Sequence, residues 1–126
     1  MSVVLDASAL LAYLQNEPRS EIIDNVLSHS IMSSVNWSEV VQKAIAKQID
    51  IDGMRQELEI LGLVIVPFTL EEAELTANLW KITQQYGLSL GDRACLSLGL
   101  HLNLSVYTAD KVWTKLNLPI KIHCIR

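Results

Sequence analysis

Val3-Val4-Leu5-Asp6-Ala7-Ser8-Ala9-Leu10-Leu11-Ala12 is the stretch whose reading decides the fold. Three apolar residues in an unbroken run, without the alternation of a half-exposed strand, read as a short strand covered on both faces. Asp6 ends the run, and Ala7 to Gln15 then turns helical. A buried strand passing straight into a helix is the opening of a βα unit, and the rest of the chain repeats that grammar. Pro18 marks a break and the first turn of a second helix, with Ile22, Ile23, Val26 and Leu27 on one face. His29 to Ser33 reads as a strand. Trp37, Val40, Val41, Ala44 and Ile45 have helical spacing within a helix expected from Trp37 to about Gln48. Asp52 to Leu61 is a short helix stopped by Gly62, and Leu63 to Val66 a strand closed by Pro67. Thr69-Leu-Glu-Glu72 has the capping-box spacing and opens a helix to about Tyr86, stopped by Gly87. A helix from Leu90 or Gly91 to His101, a strand over Leu104 to Tyr107, a short helix from Lys111 to Leu116 and a strand over Ile120 to Ile125 complete the chain.

Strands alternate with helices, and no two strands are joined by a two-residue hairpin turn. The expected fold is therefore α/β, a parallel sheet with helices on both faces. At 126 residues the chain is the size of one domain, 1–126, and folding at this length hides roughly 65–70% of the unfolded chain's surface. Half the residues are hydrophobic and 19% are charged, which excludes a disordered chain. Mean hydropathy is high at +0.27, yet no apolar stretch approaches the ~20 residues of a membrane span. With no leader-like opening segment, a cytoplasmic protein without membrane contact is expected. Cys95 and Cys124 form no CxxC and read as reduced, small apolar residues.

The formal net charge is −4, which argues against holding nucleic acid by overall electrostatics. The charge is unevenly spread. Residues 1–92 carry thirteen acids against five bases, a balance of −8. Residues 93–126 carry Asp110 against Arg93, Lys111, Lys115, Lys121 and Arg126, a balance of +4. A basic side of this kind hints at an anionic ligand, although on charge alone a solvated basic face is the better account.

In a parallel sheet the ligand site lies beyond the carboxyl ends of the strands. Asp6 and Asp110 each follow a strand, and Glu39 and Asp92 are expected in the first turns of helices that begin at the same edge. Four acids separated by 33, 53 and 18 residues are thus expected to meet in one cleft. At about 6 Å and an effective dielectric near 20, each like pair costs about 2–3 kcal/mol, so either protons or a divalent cation must relieve them. Oxygen-only ligands point to Mg²⁺ or Mn²⁺ and not to zinc. A plainer reading stands beside this one. Asn36-Trp-Ser-Glu39 and Ser89-Leu-Gly-Asp92 both have capping-box spacing, and Asp6 and Asp110 each suit a helix N-cap. Ser8 and Thr108 flank two of the acids, placed to orient them, to bind phosphate, or simply to cap. His29, His101 and His123 fall in no catalytic or metal-binding spacing, and there is neither a Gly-rich phosphate loop nor a GxSxG elbow.

The segments that carry the four acids resemble the motifs of PIN domains. Val3 to Ala12 resembles the opening of that family, Asn36-Trp-Ser-Glu39-Val-Val its second acidic motif, Leu88-Ser-Leu-Gly-Asp92-Arg-Ala-Cys-Leu96 its third and Val106-Tyr-Thr-Ala-Asp110-Lys-Val-Trp113 its fourth. Size and wording are most similar to the VapC toxins of bacterial type II toxin–antitoxin pairs. Gly91 departs from the alanine common at its place, and Asn36-Trp37 is an uncommon lead into Glu39. The resemblance implies a three-layer α/β/α sandwich on a parallel sheet of five strands. It also implies an Mg²⁺- or Mn²⁺-dependent endoribonuclease, a homodimer, and inhibition by a cognate antitoxin. Asp6, Glu39, Asp92 and Asp110 would be the acidic quartet, with Asp6 and Asp92 the central metal ligands. Arg93 and Lys111, next to two of these acids, are candidates for flanking phosphates or for surface ion pairs. A PIN nuclease of RNA processing or decay is the rival activity. A receiver-like binding module is disfavoured because only one acid follows the first strand.

Overall fold

The computed structural model describes residues 1–126. Five strands, β1 (Val3–Leu5), β2 (Ser30–Ser33), β3 (Val64–Val66), β4 (Val106–Thr108) and β5 (Ile122–Cys124), form one sheet in the order β3-β2-β1-β4-β5 with every pairing parallel. The helices are α1 (Ala7–Leu14), α2 (Glu21–Val26), α3 (Ser34–Ala46), α4 (Met54–Ile60), α5 (Leu70–Thr83) and α6 (Leu90–Leu102). Short 3-10 turns at 27–29, 84–86 and 111–115 complete the chain.

Two cores pack on opposite faces of the sheet, giving three layers. One holds Val3, Leu5 and Met32 with side chains of α1, α2 and α4; the other holds Val4 and Val106 with side chains of α5 and α6 and the fully buried Trp113. The split follows from the two-residue period of a strand, which sends Val4 one way and Val3 and Leu5 the other. All three β1 residues are buried because both faces are covered, which is why the strand reads as a continuous apolar run. Trp37 packs against the first core, and Trp80 is half exposed.

The element order matches the sequence reading, with shifts at the ends. The helix expected from Trp37 begins three residues earlier, at Ser34, because Ser33 at the end of β2 takes the N-cap and accepts from the Val35 N–H at 3.2 Å. Asn36 is therefore inside the helix, and Asn36 to Glu39 is not a capping box. Glu39 stands in the second turn and not the first. The Thr69 cap is present, with the hydroxyl accepting from the Glu72 N–H and donating to that carboxylate. The 84–86 segment tightens into a 3-10 turn before Gly87, which adopts φ +69°.

From β1 the chain builds outward through β2 to β3, then crosses back over α5 and α6 to place β4 on the other side of β1. The carboxyl ends of β1 and β4 thus flank the switch point, where a crevice forms in open parallel sheets.

Candidate active site

Asp6 directly follows β1 and caps α1, its carboxylate Oδ1 accepting from the Ala9 N–H at 2.8 Å. On the same carboxylate, the Thr108 hydroxyl donates to Oδ2 at 2.6 Å and the Ser8 hydroxyl lies 2.8 Å from both oxygens. These two hydroxyls are themselves fixed, Ser8 by accepting the Ala109 N–H and Thr108 by accepting the Asp110 N–H. The carboxylate is buried, with 4% of Asp6 exposed. Desolvation outweighs the donors, and repulsion from Asp92 adds to it, so the Asp6 pKa is pushed up from 3.8 to about 6.

Asp92 stands in the first turn of α6 in a full capping box. Its N–H donates to the Ser89 hydroxyl oxygen at 3.1 Å, and its Oδ2 accepts the Ser89 N–H at 3.0 Å. Glu39 reaches in from α3, its Oε1 accepting from Asn36 Nδ2 at 2.8 Å. Asp110 follows β4 by two residues and accepts the Val112 N–H at 3.1 Å, capping the 111–115 turn. All four acids line one cleft of about 170 Å³, together with Ala7, Ser8 and Lys43. The capping role and the shared cleft therefore hold together for three of the four: the bond that satisfies the helix start is also what points the carboxylate.

Lys43 was not singled out from the sequence. It lies four residues beyond Glu39 on α3, so the two share a helix face, and that spacing is the signal that marks it. It lines the cleft without pairing to any of the four acids; the chain's ion pairs are Arg55–Glu59 and Arg126–Glu17. Arg93 is the reverse case. It adjoins Asp92 in sequence, but consecutive helical residues point about 100° apart, and its Nη1 donates to the Thr76 carbonyl at 2.9 Å. The guanidinium ties α6 to α5, and Arg93 does not line the acid cleft. Lys111 lies outside the acid cleft, in a shallow basin that shares Ser8 and Asp110 with it and is bordered by Arg126. His29, His101 and His123 are exposed and none lines the cleft.

The donor set fits a hard dication in kind: carboxylate oxygens, one of them desolvated and reluctant to ionise without a counter-charge. A second group registers the same field. Burial pushes the Cys95 thiol well above its usual range, and the charges of Asp6, Asp92 and Glu39 push it further. The four carboxylates border the cleft without three of them closing into a preformed ligand shell.

The PIN domain family model matches residues 3–117, nearly the whole chain. The chain belongs to the PIN-domain family. Solved structures share the PIN fold at low identity. A toxin–antitoxin complex from Klebsiella pneumoniae is 19% identical, with 96% of this chain and 100% of that one covered at a TM-score of 0.71. FitAcB from Neisseria gonorrhoeae is 16% identical, with 98% and 97% covered at 0.72. VapC20 of Mycobacterium tuberculosis, described as a toxin that cleaves the sarcin–ricin loop, is 10% identical, with 95% and 99% covered at 0.71. A search of curated protein sequences returns no match. No helix of this PIN domain is long and apolar enough to cross a membrane.

Proposed function

We propose that this PIN domain is an Mg²⁺- or Mn²⁺-dependent endoribonuclease and the toxin of a type II toxin–antitoxin pair. The observation that carries the reading is the cleft in which Asp6, Glu39, Asp92 and Asp110, from four separate segments, come together around a carboxylate whose pKa is pushed up to about 6. Such a cluster repels a phosphodiester unless a cation reverses the local field. Asp6 and Asp92 would hold the metal, with Glu39 and Asp110 able to complete its shell or hold water. When bound, it would neutralise charge on the phosphoryl oxygens and lower the pKa of a coordinated water.

The chain's own residues supply placement. Ser8, Thr108 and the Ala9 N–H hold Asp6 in one rotamer; the capping box does the same for Asp92. Lys43 at the cleft, with Lys111 and Arg126 on the adjoining basin, offers cations to the phosphates that flank the cut. The reaction read here is hydrolysis: a water oxygen bonds to phosphorus as the bond to the 3′ oxygen breaks, leaving a 5′-phosphate and a 3′-hydroxyl. That chemistry needs no imidazole base, in keeping with a cleft lined by none.

The antitoxin part of the reading is supported by a groove of about 280 Å³ between α1, α3 and α4, lined by Leu14, Ile49 and Met54 with Asp50, Asp52 and Glu57 among its polar members. Apolar floor and acidic rim suit a basic amphipathic helix. A neighbour of the same fold, from Klebsiella pneumoniae, is a toxin–antitoxin complex. The homodimer belongs to the same reading and is tested by sedimentation of the purified chain. The activity is tested by incubating total RNA with the protein and Mg²⁺. Discrete products carrying 5′-phosphates, absent with EDTA and with Asp92→Asn, are expected. Equal cleavage by Asp92→Asn, or cleavage indifferent to chelation, overturns the assignment.

A further inference from the structure

Asn36 and Gly91, 55 residues apart, meet over one carboxylate. Asn36 is 1% exposed, and its Nδ2 donates twice, to Glu39 Oε1 at 2.8 Å and to the Gly91 carbonyl at 2.9 Å. Its orientation is set by those partners, since a flipped amide would place Oδ1 against two acceptors. The same orientation leaves Oδ1 buried with no partner, which costs about 1–3 kcal/mol. On the other side of the contact, a Cβ on Gly91 would lie 2.6 Å from the Glu39 carboxylate carbon and from both its oxygens. The carboxylate fills the volume a methyl group would take. In the first turn of α6, with no left-handed φ to require it, glycine is itself unfavourable relative to alanine by about 0.4–1 kcal/mol, through the freedom it gives the unfolded chain. Two residues that each weaken the fold thus converge on one side chain.

We propose that Asn36 and Gly91 are a pair of positioning residues that set the Glu39 carboxylate against the first turn of α6. The Gly91 carbonyl belongs to the peptide that leads into Asp92, so the Asn36 amide ties Glu39 and the Asp92 backbone to one point. Alanine at 91 evicts the carboxylate from one side; loss of the Asn36 donors releases it from the other. The inference rests on the metal-dependent reading of the cleft and deepens it.

The test is Mn²⁺ affinity of the full chain, read from the free-ion electron paramagnetic resonance signal, in a double-mutant cycle with Glu39→Gln. Asn36→Ala and Gly91→Ala should each weaken Mn²⁺ binding about tenfold, and neither should weaken it further once Glu39 is Gln. Gly91→Ala separates positioning from folding, because its metal-free melting temperature should equal or exceed that of the unmutated protein while the site loosens. It also keeps the test valid if Asn36→Ala folds poorly. Unchanged Mn²⁺ affinity in Gly91→Ala, or an equal loss in the Glu39→Gln background, refutes the positioning role and leaves the site intact. An unmutated protein that binds no Mn²⁺ refutes the reading of the site itself, and the pair's role with it.

Discussion

Glu39 and Asp92 reach the same cleft from helices whose first turns are built differently. At α6 the acid is part of the helix start: Asp92 closes the capping box with Ser89, and its carboxylate is aimed by the backbone it satisfies. At α3 the start is completed without the acid. Ser33 caps it, and Glu39, a turn farther in, is aimed by a side chain and a gap, the Asn36 amide and the missing Cβ of Gly91. Asp6 belongs with Asp92, being both an N-cap and a cleft wall. Backbone-aimed acids are locked by the fold; Glu39 depends on two particular neighbours.

The largest expected effect contrasts the two kinds directly. Asp92→Asn should lower RNA cleavage at least about 100-fold, while the melting temperature barely moves, because an Asn oxygen still accepts the Ser89 N–H. Glu39→Gln should cost less, about tenfold. Equal losses in parallel rate assays would break the distinction.

Next comes the proton. Asp6 binds a proton with a pKa of about 6 in the folded chain against 3.8 ordinarily. Between about pH 4 and 6 the folded state therefore holds a proton that the unfolded chain has released. Stability from this group falls as pH rises through that window and is fully lost above it. The cost is on the order of 3 kcal/mol. Metal-free Asp6→Asn should accordingly melt higher than the unmutated protein at pH 8 but not at pH 4, and show no melting response to Mg²⁺. An equal difference at both pH values would contradict the burial account.

The caps themselves sharpen the comparison at smaller scale. Ser33→Ala and Ser89→Ala should each cost about 1 kcal/mol in denaturant unfolding. Both should leave Mn²⁺ binding nearly unchanged, since the bond that aims the Asp92 carboxylate comes from the Ser89 backbone N–H, which alanine retains. The smallest effect is expected from Lys43→Met. The fold should be untouched and RNA binding weakened a few-fold, with the salt dependence reduced by about 0.7 in the log–log slope, as for one lost phosphate contact.

The sheet was legible because strands covered on both faces must be apolar throughout, and Asp6 and Asp110 were legible because each ends such a run. The start of α3 was not. Asn36-Trp-Ser-Glu39 and Ser89-Leu-Gly-Asp92 have the same spacing, and nothing local reveals that Ser33, at the end of β2, captures the cap of the first. Helical geometry accounts for where two of the cations lie. Arg93, one residue from Asp92, faces α5, whereas Lys43, four residues from Glu39, faces the cleft with it. The bond from Asn36 to the Gly91 carbonyl is invisible in sequence because it exists only once α3 and α6 pack.

The central claim is that these carboxylates gather to hold a hard dication. Anomalous diffraction from crystals grown with Mn²⁺ tests it most directly. A peak bonded to oxygens of Asp6 and Asp92, with Lys43 turned aside, is the predicted result. A cleft with no peak, bridged instead by the Lys43 ammonium, would contradict it.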